Sequence, residues 1–337
     1  MRTPISISAA LIALFAGQAA AEEVNVYSSR HYNTDQALYD EFTEATGITV
    51  NLIEAKGDAL IERMVAEGES SPADVFITAD GSRIARAVEA GLFQPTASDA
   101  LTSAVPESLR HPDGLWFGLS TRVRGVIYAK DRVDPGTITA YEDLVDPAWE
   151  GKICIRSSSN VYNQSLVASM IAADGLEAAE GWAEGIVANF ARNPQGGDTD
   201  QIKAVAAGEC DVAVANHYYL ARLMRSDKED DTAVADAVGI IFPNQDGRGT
   251  HANVSAAGVA AHAPNKDAAV TFIEYLATPS AQAYFADGNN EYPVVEGVKV
   301  SPVLEDWGSY KTDALAVTAF GENNAEALKA MDRAGWQ

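Results

Sequence analysis

From residue 23 onward, short β-branched runs alternate with stretches whose apolar residues recur at helical spacing. Val24-Asn25-Val26-Tyr27-Ser28 has the pattern of a strand, and residues 35–46 follow with Leu38, Phe42 and Ala45 on one helical face. Gly47 stops that helix, and Ile48-Thr49-Val50-Asn51-Leu52 alternates as a second strand. Leu60, Ile61, Met64 and Val65 mark a second helix ending near Gly68. Val75-Phe76-Ile77 forms a third strand and residues 82–90 a third helix. This βαβαβα order predicts a parallel sheet with helices on both faces.

The order loosens between residues 93 and 117, where Pro95, Pro106 and Pro112 punctuate the chain. A long extended run over 118–129 opens a second α/β series. It comprises strand 152–155, helices near 163–173, 176–190 and 200–207, strand 211–215, helix 219–226 and strand 238–242. Another extended run, 255–261, precedes helix 267–276. Two α/β series joined by extended crossovers predict two lobes facing a cleft. The expected lobes are 22–120 with 247–296, and 121–246 with 297–337.

Residues 1–21 are expected to be a signal peptide. Arg2 gives a positive start, residues 5–16 are apolar, and Ala19-Ala20-Ala21 supplies a small–x–small cleavage pattern. The apolar run is too short to span a bilayer, and no later segment has the length for it. A soluble, exported chain cleaved near Ala21 is the expectation. In an oxidising compartment Cys154 and Cys210 are permitted a disulfide, and each lies beside a predicted strand. Two small buried thiols would fit the same positions.

The 337 residues carry 24 Lys and Arg against 48 Asp and Glu, a formal net charge of −24. That balance argues against nucleic acid or an anionic membrane as partner, since phosphate binding needs clustered cations. Two cysteines exclude a Cys-rich zinc or iron–sulfur module.

In open α/β sheets, ligands bind beyond the carboxyl ends of the strands. Three such turns carry unusual residues: Ser29-Arg30-His31-Tyr32-Asn33, with Thr34 as expected N-cap; Arg156-Ser157-Ser158-Ser159-Asn160-Val161-Tyr162; and Asn216-His217-Tyr218-Tyr219. Four tyrosines and two histidines thus fall at equivalent places. Phenolate is a hard oxygen donor, neutral as the phenol below a pKa of ~10. A strongly charged metal favours its deprotonated form, and helix N-termini add ~0.3–1 kcal/mol each. Four phenolates around Fe³⁺ leave one negative charge for a guanidinium to offset, and His31 could add a fifth donor. Zinc and calcium fit less well, for want of Cys–His–carboxylate sets and of an EF-hand spacing.

Blander readings stand beside this one. A tyrosine at a strand end is commonly half-buried with its hydroxyl bonded, and tyrosines lining a cleft could hold an organic cation. His217 reads as turn packing; His111, His251 and His262 read as surface or loop residues. Arg122 and Arg124 could form structural ion pairs, or one could face the cleft. Arg222 lies four residues after Tyr218, on the same helical face. No G-x-S-x-G elbow, H-E-x-x-H or P-loop occurs. The serines at 157–159 read as capping rather than as hydrolase nucleophiles, and Asp198-Thr199-Asp200 as loop and N-cap. No catalytic activity is expected.

On Val26-Tyr27-Ser28-Ser29-Arg30-His31-Tyr32, Ala73-Asp74-Val75-Phe76, Ile155-Arg156-Ser157-Ser158, Asn216-His217-Tyr218-Tyr219-Leu220-Ala221-Arg222 and Asn290-Glu291-Tyr292-Pro293-Val294, the chain resembles the periplasmic ferric-iron-binding proteins of bacterial ABC importers. The likeness runs through nearly all of the chain beyond residue 21, and is strongest to the branch typified by cyanobacterial iron-uptake proteins. The resemblance implies a two-lobed, transferrin-like clamp of the type II binding-protein class. It implies Fe³⁺ as the transported ligand, with Fe²⁺ accommodated in some members and a carbonate-like anion in others. Its implied ligands are His31, Tyr32, Tyr162, Tyr218 and Tyr219, with Arg122 and Arg222 balancing charge. Direct His31 coordination without an obligatory anion is expected. The implied partners are a membrane permease and its separate ATPase, with the clamp itself a monomer. The alternative keeps the fold and places a small organic amine or carboxylate in an aromatic cleft.

Overall fold

The structure is a computed structural model that describes residues 22–30 and 32–337, Asn33 by its backbone alone. The signal-peptide expectation for residues 1–21 and the assignment of His31 lie outside the described residues. Nine strands are present among the described residues: β1 Glu23–Ser28, β2 Thr49–Glu54, β3 Val75–Thr78, β4 Phe117–Ala129, β5 Ile153–Cys154, β6 Val212–Asn216, β7 Val238–Ile241, β8 Ala252–Val259 and β9 Tyr292–Pro293.

β1, β2 and β3 are parallel, as the βαβαβ order requires, in the order β2-β1-β3. β8 then joins β3 antiparallel, and the first half of β4 pairs antiparallel with β8. Beyond Val123, β4 changes partners. From Arg124 to Tyr128 it pairs with β6, and β7 takes its other side from Val126 to Ala129. β5 runs parallel to β6. One 13-residue strand therefore belongs to both sheets, so the crossover expected over 118–129 is a continuous ladder.

Each sheet has its own core. Helix Asn33–Thr46 buries Leu38 and Phe42 against Val26, Val75 and Phe272. Each large side chain so buried contributes roughly 1.5–3 kcal/mol. Gly47, at φ 78°, ends that helix in the left-handed conformation and returns its N–H to Thr43 O. The second core gathers Val126, Ile153, Leu166, Trp182, Val212 and Val214. The chain's end joins it: helix Asn324–Arg333 contributes Ala327, Ala330 and Met331, and Trp336 packs behind them. Trp336 Nε1 donates to Arg156 O at 2.9 Å.

Cys154 and Cys210 are joined in a disulfide, with Cα atoms 5.8 Å apart, beside the β5–β6 pairing. Several local expectations need correction. Tyr32, not Thr34, is the N-cap of the first helix. A helix at Asp99–Ala104, capped by Ser98, breaks the irregular stretch. Gly197 is the N-cap before Asp198, and Asp200 reaches back to its N–H. His251 is in a loop but buried, its ring edge-on to Phe320. No helix among the described residues is long and apolar enough to cross a membrane.

Candidate metal centre

Three strand ends deliver the tyrosines. β1 leads into Tyr32, which has extended backbone at the start of helix Asn33–Thr46. After β5, the turn closes on Asn160, whose side chain accepts the N–H of Tyr162 at 3.1 Å as helix Val161–Asp174 begins. After β6, helix His217–Met224 starts two residues earlier than its apolar pattern predicts, so Tyr218 and Tyr219 occupy its first turn. Every one of the four therefore stands at a helix start, where the positive end of the helix dipole favours a phenolate.

The side chains converge from both sheets. Tyr218 Oη donates to Tyr162 Oη at 3.4 Å, and the Tyr32 and Tyr218 rings meet edge-on with centroids 6.0 Å apart. Tyr219 lies against Tyr218 at 4.3 Å. Tyr218 is 1% exposed, Tyr32 and Tyr162 are buried, and Tyr219 is partly buried. Two openings flank the cluster. One, of about 680 Å³, is lined by Lys56, Arg83, Arg156, Ser157 and Tyr162. The other, of about 710 Å³, is lined by Lys203, Tyr219, Arg222 and Arg225.

Guanidinium groups surround the rings. Arg222, itself exposed, lies 5.5–5.8 Å from the centroids of Tyr32, Tyr218 and Tyr219. Arg122 and Arg156 lie over Tyr162 at 5.8 and 5.6 Å. Both arginines of the crossover are buried. Arg122 faces the tyrosines and bonds Ser255 Oγ at 2.6 Å, whereas Arg124 pairs with Asp198 at 3.1 Å. Each of the four rings thus already has a guanidinium of the protein within cation–π range.

One carboxylate to which the sequence assigns no role sits among these groups. Glu291, fully buried, accepts the Tyr32 hydroxyl at 2.9 Å and the Ser120 hydroxyl at 2.6 Å, and pairs with Arg30 at 3.1 Å. Arg122 approaches it at 3.8 Å. Arg30 also pairs with Asp35 at 2.8 Å. Arg30 stands in the same turn as Tyr32 and could have been singled out there. Glu291 offered only its place in the Asn290–Val294 run.

Three of the phenols, those of Tyr32, Tyr218 and Tyr219, are held neutral. Burial raises the pKa of Tyr32 well above the ordinary phenol value, and the Glu291 charge raises it further against Arg30 and Arg122. Burial likewise raises Tyr218, with added repulsion from Tyr162, Tyr32 and Tyr219 as phenolates form. Tyr219 is raised by burial and by Tyr162 and Asp198. Deprotonation therefore needs a strong cation in the cluster, and removing any one proton makes the next costlier without it. Among the described residues no group of three or more His, Cys, Asp and Glu could hold a metal. His217 is buried and turned away, its Nε2 2.8 Å from Asn290 O, while its Nδ1 accepts Val123 N–H at 3.2 Å.

Residues 37–312 match the family model of bacterial extracellular solute-binding proteins. Iron uptake protein A1 of Synechocystis is 52% identical over 316 residues, covering 94% of this chain and 88% of the relative. Among solved structures, a Trichodesmium IdiA (FutA) in complex with iron and citrate ligands is 58% identical. Its TM-score is 0.90, over 94% of this chain and all of that one. A ferric binding protein from Campylobacter jejuni superposes with a TM-score of 0.90 at 42% identity, over 93% of this chain and all of the other.

Proposed function

The chain belongs to the bacterial extracellular solute-binding proteins, and on that footing we propose that it captures ferric iron in the periplasm and hands it to an ABC-type importer. The observation that carries this reading is the convergence of Tyr32, Tyr162 and Tyr218 from two sheets onto one buried cluster, with Tyr219 against it. Support comes from the relatives named above, whose descriptions are of iron uptake and ferric binding.

In this reading Tyr32, Tyr162, Tyr218 and Tyr219 supply phenolate oxygens, and His31 adds an imidazole without an obligatory carbonate. Arg122 and Arg222 offset the surplus negative charge. The bodies 22–120 with 247–296, and 121–246 with 297–337, close on the metal because ligands from both bind it together, which is differential affinity for the closed form. Residues 1–21 direct export and are removed near Ala21. The loaded clamp acts as a monomer that docks on a permease driven by a separate ATPase, and it catalyses no reaction.

The test is retention of metal. Protein loaded with ferric citrate and desalted retains iron, and Tyr162→Phe loses most of it, because one hard donor is gone. An aromatic cage for an organic amine would keep its ligand after that change. A chain that retains no iron, yet is stabilised against heat by a small amine or carboxylate, overturns the ferric reading.

A further inference from the structure

Arg124 lies at the point where β4 leaves one sheet and enters the other, and its side chain is 1% exposed. Its guanidinium donates four hydrogen bonds. Nη1 reaches Asp198 Oδ2 at 3.1 Å and Asn216 Oδ1 at 3.0 Å, and Nη2 reaches Asn163 Oδ1 at 2.6 Å and Val214 O at 3.2 Å. All four acceptors belong to elements of the second sheet and its helices.

Their places in the chain are what matter. Asn163 follows Tyr162, and its Nδ2 closes the preceding turn by donating to Arg156 O at 2.9 Å and Ser157 O at 3.2 Å. Asn216 is the N-cap of the helix carrying Tyr218 and Tyr219. Asp198 also accepts the backbone N–H of Asn216 at 3.0 Å and faces Arg156, the cation over Tyr162, at 3.6 Å. One planar cation thus joins the starts of both tyrosine-bearing helices to a shared buried carboxylate.

We propose that Arg124 is a positioning residue for iron binding, fixing Tyr162 relative to Tyr218 and Tyr219 by holding the N-termini of their helices on one guanidinium. The inference rests on the ferric reading given above. Metal ligands must be held to within about 0.5 Å by groups that are themselves fixed. A guanidinium meets four acceptors in one rigid fork, whereas lysine brings three rotatable donors on a flexible stem. Among the described residues Arg124 bonds to none of the four tyrosines, so its effect passes through Asn163 and Asn216.

The experiment compares wild type with Arg124→Lys, Asn163→Ala and Asn216→Ala. Three quantities are read: the phenolate-to-iron absorption band, the rate of iron loss to excess citrate, and thermal unfolding without metal. Arg124→Lys is expected to unfold cooperatively, shift the band and lose iron about 10–100-fold faster, the usual scale for partners of metal ligands. Its effect should be non-additive with Tyr162→Phe, which it shares, and additive with Tyr32→Phe, which it does not. A merely structural loosening would be additive with both, and that result overturns the inference. So does an unchanged band and loss rate. If Arg124→Lys does not fold, the two asparagine variants carry the same readouts, each removing one acceptor beside one tyrosine. Absence of a band in wild type would sink the ferric reading itself. A wild-type band with unaltered variants sinks only the role of Arg124.

Discussion

Tyr32 and Glu291 stand 259 residues apart in the chain, yet the Tyr32 hydroxyl donates to the Glu291 carboxylate over 2.9 Å. Burial would raise the pKa of Glu291, but Arg30 and Arg122, with hydrogen bonds from Ser120 and Tyr32, hold it below the usual carboxylate range. Glu291→Ala leaves two buried arginines without their shared anion and should cost about 3–5 kcal/mol in denaturant unfolding. Glu291→Gln keeps the shape and should cost less. Because the folded pKa is depressed, this stabilisation is complete above about pH 4.3 and is lost as pH falls through the folded value. Equal stability of wild type and Glu291→Ala at pH 7 would contradict the arrangement.

His217 predicts a second, distinct pH dependence. Its buried imidazole has its pKa lowered from 6.5 to about 4, chiefly by desolvation. The unfolded chain takes up that proton first, so stability is complete above about pH 6.5 and declines as pH falls toward 4. The loss is on the order of 3 kcal/mol. Unfolding midpoints measured across that range should fall in wild type and fall less in His217→Gln. Buried His251, also shifted down, leaves a residual slope in the variant. Identical slopes would remove His217 from the account.

Iron binding should release protons. Tyr32, Tyr218 and Tyr219 are all raised above the ordinary phenol value, so in metal-free protein at pH 7 each is neutral. Every phenol that becomes a ligand gives up one proton, and affinity must rise with pH. Titration in weak buffer with a pH indicator should show acidification on adding iron, and retention should weaken steadily from about pH 8 to 5. A pH-independent affinity contradicts phenolate ligation.

The bridge between Cys154 and Cys210 closes a sequence separation of 56 residues. On a chain-entropy estimate it contributes about 4 kcal/mol. Paired substitution to alanine should lower the unfolding free energy read from denaturant titration by that scale while leaving the iron band in place. A shifted band would mean that the bridge also shapes the metal centre.

Legibility in the sequence followed range. β1 and β3 with their helices could be read locally, because alternating apolar positions and glycine stops lie within a few residues of each other. The four tyrosines could be read for the same reason, each standing at a helix start in the turn that follows a strand. Glu291 and Asp198 could not, since their partners Arg30 and Arg124 lie 261 and 74 residues away. A buried ion pair leaves no periodic trace in either segment. The antiparallel insertion of β8 between β3 and β4 was equally hidden, because pairing direction depends on where a long connection returns. Trp336 shows the same limit, for nothing near the chain's end predicts that it packs beside Trp182.

The most direct test of the account is the visible absorption spectrum of purified protein before and after ferric citrate is added. Phenolate ligation predicts a broad orange-red phenolate-to-iron band that survives desalting. It should diminish in Tyr218→Phe and Tyr219→Phe, with iron retention falling on the order of 100-fold or more. No band, with no metal retained, would contradict it.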